Sequence, residues 1–280
     1  SPLTPAERER AYNPRLAVPE FEAYRERRLA KSATQRAITP GMENLRYGDG
    51  PRAVLDLFKP DTDDAPLVVF FHGGYWRAGD KQEMSFMAKP LLAAGIALAL
   101  PNYDLCPAVT LPQIVHQARE AVAFAIARAP DWQVDPRRIV VAGLSAGAHL
   151  AAACLTADLE GPAMDARAIK GALLISGVYR PAVVLDLALN AEIQLTPETA
   201  AAADVYSRPL AVHCPVVVAV GGDEPAPWIE LSREYAAKLT EEKASPVHCQ
   251  VLPHHNHFSI IEELEHDTST MTRLLLDLCK

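Results

Sequence analysis

Short apolar runs recur along the chain, and between them lie longer stretches in which apolar residues return every three or four positions. The runs are Leu67–Phe71, the segments opening at Ile96, Ile139 and Ala172, and Val216–Val220. A run of four or five apolar residues without polar alternation reads as a strand covered on both faces. Val247–Leu252 closes the series as a further strand. The periodic stretches predict helices over Lys81–Ala93, Leu111–Ala129, Ala146–Thr156, Trp228–Thr240 and Ser259–Lys280. Ahead of them, Asn44–Tyr47 and Arg52–Phe58 flank Gly48-Asp49-Gly50 and predict a short antiparallel start. Strands alternating with helices specify an α/β fold, with a mostly parallel, twisted sheet of about eight strands and helices on both faces.

Two segments fall outside this rhythm. The first, residues 1–40, carries a charged predicted helix at Pro19–Lys31. The second, 181–209, sits between two core strands and is rich in alanine. Long insertions in compact domains serve as lids or binding loops, so both are candidates for a small cap. That they merely cover sheet edges stays open. At 280 residues the whole chain, 1–280, reads as one domain.

Composition narrows the partners. An apolar content of 49% with few aromatics is that of a soluble globular protein. A net charge of −8 argues against nucleic acid or an anionic membrane surface. The longest apolar run, Leu91–Leu100, is broken by Gly95 and is too short to span a bilayer. No basic-then-apolar leader opens the sequence, so a cytoplasmic location is expected. Five scattered cysteines without CxxC spacing read as reduced, buried residues. No cofactor is expected, and a second copy of the chain, forming a homodimer, is a candidate partner.

Candidate chemistry centres on Gly143-Leu144-Ser145-Ala146-Gly147, straight after the Ile139–Ala142 strand. This G-x-S-x-G pattern is a nucleophile elbow: a sharp strand-to-helix turn whose small neighbours leave the serine hydroxyl clear. The helix that follows aims its free N–H groups at the site where an oxyanion would form. Upstream, the Leu67–Phe71 strand runs into His72-Gly73-Gly74-Tyr75-Trp76. A glycine pair there can turn backbone amides inward, so Gly74 and Tyr75 join Ala146 as expected oxyanion donors. His72 is expected to brace the loop.

In this fold the triad order is Ser, acid, His. The Val216–Val220 strand ends in Gly221-Gly222-Asp223-Glu224, where two acids compete. Glu224, three residues past the strand's terminal glycine, is favoured over Asp223. The cluster His254-His255-Asn256-His257 follows the last strand. Its adjacent and next-but-one spacing suits a metal poorly, so none is expected. His257 is the expected base.

The His72–Trp76 sequence, Gly79-Asp80-Lys81, Tyr103-Asp104-Leu105-Cys106-Pro107, Gly143–Leu150 and His257-Phe258 together resemble the kynurenine formamidase (arylformamidase) group of α/β-hydrolases. That group is related to the hormone-sensitive-lipase-like esterases, and the likeness runs from about Tyr12 to the last helix. It implies an α/β-hydrolase fold, with Ser145 as nucleophile, Glu224 as acid and His257 as base. It also implies a serine hydrolase cleaving a small amide or ester, of which an N-formylkynurenine-type aryl formamide is the first reading. A short-chain carboxylesterase is the alternative, and a non-catalytic ligand-binding member is a third. An aniline-like leaving group would need aromatic walls, for which Trp76 and Tyr103 are the candidates.

Overall fold

The computed structural model describes residues 3–280 apart from 243 and 245. The first two positions of the 1–40 segment therefore lie outside the described residues. Eight strands form one sheet: β1 (Met42–Arg46), β2 (Val54–Phe58), β3 (Ala65–Phe71), β4 (Ala97–Pro101), β5 (Val134–Leu144), β6 (Ile169–Ile175), β7 (Val216–Gly221) and β8 (Val247–Leu252). Their order is β1-β2-β4-β3-β5-β6-β7-β8. The pairs β1/β2 and β2/β4 are antiparallel, and every pair from β4 across to β8 is parallel.

Pleating sends successive side chains to opposite faces, and the unbroken apolar runs use both. Leu67, Val69 and Phe71 of β3 join the core shared with helices Leu111–Arg128, Ala146–Ala153 and Ala226–Glu241. Val68 and Phe70 enter the opposite core, with Met87, Leu91, Met271 and Leu275. The sheet is thus buried twice, as a parallel sheet with crossover helices must be.

Three helical expectations change. The N-terminal segment forms two helices before the expected one, over Pro5–Tyr12 and Pro14–Ala17, and the expected one spans Phe21–Ile38. Its buried positions are Arg28, Ser32 and Gln35, so no apolar stripe marks its length. Lys81–Ala93 is a 3₁₀ segment to Met87 followed by a short α-helix. Ser259–Lys280 is not one helix: a 3₁₀ turn over Ile260–Glu265 and a helix over Thr270–Leu278 are separated by polar residues, and Ser269 Oγ caps the second by accepting from Thr272 N.

All five cysteines are free, and four are buried. Burial pushes the thiols of Cys154, Cys214 and Cys279 up to about 12, which leaves them protonated. Among the described residues no helix is long and apolar enough to cross a membrane.

Candidate active site

Parallel strands deliver their carboxyl ends to one edge of the sheet, and every residue singled out for the triad lies in a loop there. Ser145 leaves β5 at φ 57° and ψ −117°, a left-handed conformation costly for a residue with a Cβ. The turn is held from both sides. Ser145 N donates to Ile175 O at 2.7 Å, and Ser145 O accepts from Ala148 N at 3.0 Å. A Cβ on Gly147 would sit 2.0 Å from Phe71 O, so only glycine lets the helix start this close to β3. Ser145 Oγ itself has no hydrogen-bond partner among the described residues. It lines a cavity of about 310 Å³ together with His257.

The loop after β3 wraps the other side of the serine. Gly74 adopts φ +125°, and a Cβ there would lie 2.2 Å from Ala78 O. The N–H groups of Gly74 and Tyr75 find no acceptor among the described residues, which leaves both free to donate to an incoming oxyanion. The Tyr103–Pro107 motif holds this loop in place. Tyr103 Oη donates to His72 O at 2.7 Å, its ring stacks on His72 at 4.4 Å, and Cys106 N donates to Trp76 O at 2.8 Å. His72 Nδ1 lies 2.8 Å from Gly73 O, and burial lowers its pKa, so it stays neutral. It braces the loop.

Glu224 and His257 meet across the ends of β7 and β8. Glu224 Oε2 lies 2.7 Å from His257 Nδ1, and the carboxylate is fully buried. Its other oxygen accepts from Gly221 N at 2.8 Å and from Ser176 Oγ. Asp223 is exposed, and its backbone N–H donates to His255 O. Of the neighbouring histidines, His254 is exposed, and His255 pairs with Glu263 at 3.4 Å. Among the described residues no three His, Cys, Asp or Glu side chains converge as a metal site would require.

Two further residues touch this pair, and the sequence offered no motif for either. Ser176 follows β6 at φ 49°, fully buried, with its hydroxyl on Glu224. Trp228 packs its ring 4.6 Å from that of His257, and its Nε1 donates to Ala11 O at 2.9 Å. Ser176→Ala is expected to lower kcat by about tenfold while the fold persists. It removes one of three hydrogen bonds to a buried carboxylate, each charge-assisted. Steady-state kinetics of the variant on an activated ester check this.

The expected aromatic wall is corrected. Trp76 and Tyr103 are wholly buried and do not line the cavity. Trp76 sits at φ 56° and turns its ring against His149, 5.2 Å away, while Tyr103 is spent on His72. The aromatic lining comes from Tyr75, Phe21 and Phe258. Phe21 and Phe258 lie 5.7 Å apart and join the N-terminal segment to the loop carrying His257. That segment supplies a whole wall, from Asn13 to Arg28, whereas no residue of 181–209 reaches the cavity. The latter segment instead packs on the former: Ala188 N donates to Glu9 at 2.7 Å.

A serine on a strained elbow, idle backbone donors beside it and a buried carboxylate–histidine pair can together perform acyl transfer through a covalent intermediate. A family profile described as BD-FAE matches residues 55–172. A kynurenine formamidase from Salmo salar is 32% identical over 259 residues, covering 88% of this chain and 85% of that protein. Among solved structures, a candidate thioesterase from a Silicibacter species superposes with a TM-score of 0.82 at 31% identity, covering 95% of this chain and 98% of that one. An esterase from Pyrobaculum calidifontis, 17% identical with a TM-score of 0.70 and coverage of 99% and 98%, shares the fold.

Proposed function

Since the chain belongs to the kynurenine formamidase family of α/β-hydrolases, we propose that it hydrolyses N-formylated aryl amines of the N-formylkynurenine type through an acyl-enzyme on Ser145. The observation that carries this reading is the 2.7 Å contact between Glu224 and His257, the latter lining the same cavity as Ser145. His257 takes the serine proton as the hydroxyl attacks the formyl carbon. Glu224 fixes the tautomer and balances the charge that appears on the imidazole. The tetrahedral oxyanion settles against the amides of Gly74, Tyr75 and Ala146. His257 then protonates the departing aryl amine, and water clears the formyl group.

The N-terminal segment acts as the cap, because it forms one wall of the cavity and packs Phe21 against Phe258 beside the base. A formyl group is the smallest acyl group, and a cavity of about 310 Å³ falls at the small end of ligand sites. The five free thiols support a reducing compartment, the cytoplasm.

Side-by-side kcat/KM values for N-formylkynurenine, p-nitrophenyl acetate and p-nitrophenyl butyrate test the substrate class. The formamide is expected to lead. A higher value for either ester would make the protein a short-chain carboxylesterase that shares the same site.

Turnover is also expected to survive exhaustive chelation, because His254 is exposed and His255 pairs with Glu263 rather than with the Glu224–His257 pair. Loss of activity with EDTA, restored by zinc, would convert the histidine cluster into a metal site.

A further inference from the structure

Helix Pro5–Tyr12 has no apolar face to hold it: none of its residues is buried, and of them Tyr12 alone packs partly against the core. A short helix without an apolar stripe gains little from burial, so polar contacts must keep it in place. The final carbonyls of a helix have no partner within it. Here the last two accept from side chains at the active site. Trp228 Nε1 donates to Ala11 O at 2.9 Å, and Tyr75 Oη donates to Tyr12 O.

Both donors belong to groups that the chemistry needs in place. Tyr75 carries one of the free N–H groups beside Ser145. Trp228 is buried, and its ring lies 4.6 Å from that of His257, tilted by 56°. The rings of Tyr75 and Trp228 meet nearly edge-on, 6.4 Å apart, so aromatic contact runs from the oxyanion loop to the base. Among the described residues the imidazole of His257 has one hydrogen bond, to Glu224. A single bond leaves a ring free to swing about it, and packing must supply the rest of its aim. Phe258 meets the imidazole edge-on at 5.5 Å, and Trp228 is the other ring against it. Trp228 does not line the cavity, so it meets the base and not the substrate.

We propose that Trp228 is a positioning residue for the base, and that helix Pro5–Tyr12 sets it. Ala11 O fixes the indole, the indole fixes the imidazole of His257, and Tyr75 ties the oxyanion loop to the same helical turn. This rests on the reading of His257 as the base for Ser145, and it adds what aims that base. A displacement of about 1 Å in such a group costs about a hundredfold in rate. The loss falls on kcat rather than KM, because the aim matters when the proton moves and not when substrate binds.

The test compares the full chain with Trp228→Phe, which keeps a ring beside His257 but loses the N–H tie, and with Trp228→Leu, which loses both. Turnover of p-nitrophenyl acetate is referred to working sites, counted by fluorophosphonate labelling carried to completion, so that unfolded protein does not enter. Per working site, kcat is expected to fall about tenfold in Trp228→Phe and about a hundredfold in Trp228→Leu, with KM within about twofold of the wild type. Amide hydrogen exchange over residues 5–12 is expected to quicken in Trp228→Phe, and further when Tyr75→Phe is added, a readout that needs no turnover. Wild-type kcat in Trp228→Phe, or unchanged exchange in the double variant, overturns the inference. Equal losses in the two Trp228 variants deny the ring its part and overturn it too. A loss confined to KM, or to the number of working sites, leaves Trp228 as a structural residue and has the same result. A wild type that neither turns over nor labels sinks the serine-hydrolase reading and this inference with it, whereas a working wild type matched by its variants sinks the inference alone.

Discussion

Ser145→Ala is expected to lower kcat by about five to six orders of magnitude, the loss seen when the nucleophile of a triad is deleted. The variant should fold normally. Alanine meets the same backbone strain at φ 57° as serine, and the bond from residue 145 N to Ile175 O does not involve the side chain. Because Oγ has no partner among the described residues, its removal leaves no buried group unsatisfied. Steady-state kinetics on an activated ester, with a thermal melt alongside, measure both halves. A variant that melts like the wild type and keeps most of its turnover removes Ser145 from the mechanism.

Glu224→Gln is expected to cost about two to four orders of magnitude in kcat, and Asp223→Asn about tenfold or less. The glutamate accepts from three donors at once: His257 Nδ1, Gly221 N and Ser176 Oγ. An amide brings two hydrogens of its own into that arrangement. Its nitrogen must then face a donor, so the imidazole is left in the wrong tautomer or a buried N–H loses its acceptor. Asp223 is exposed and acts only as a screened field. Kinetics of both variants on one substrate decide the assignment. The reverse ranking would move the acid to Asp223.

Much of this molecule was legible because its sheet is buried on both faces. Runs such as Leu67–Phe71 and Val216–Val220 have no polar alternation to confuse them, and they fall within the observed β3 and β7. The N-terminal segment was less so. Helix Phe21–Ile38 buries Arg28, Ser32 and Gln35, which look like solvent-facing residues in a one-dimensional pattern. A buried polar face becomes visible only when its partner, here Glu83 from a distant segment, is placed beside it.

The triad candidates announced themselves by strand-end motifs, but the residues that position them did not. Ser176 is an ordinary serine after an ordinary strand, and its contact with Glu224 spans 48 positions of sequence. Trp76 and Tyr103 misled in the opposite way. Trp76 lies in the loop after β3 and Tyr103 follows β4, yet a positive φ at Trp76 and the bond from Tyr103 to His72 turn both rings into the core. Which side of a loop a ring occupies depends on backbone dihedrals that spacing does not encode.

The central claim is that Ser145 forms a covalent acyl-enzyme in the cavity that the N-terminal segment lines. The most direct measurement is intact-mass and peptide-level analysis after reaction with a fluorophosphonate, which traps an activated serine at phosphorus. The account predicts one adduct per chain, located on Ser145 and absent from both Ser145→Ala and unfolded protein. No adduct on a turnover-competent preparation, or an adduct at another serine that tracks the loss of activity, would contradict it.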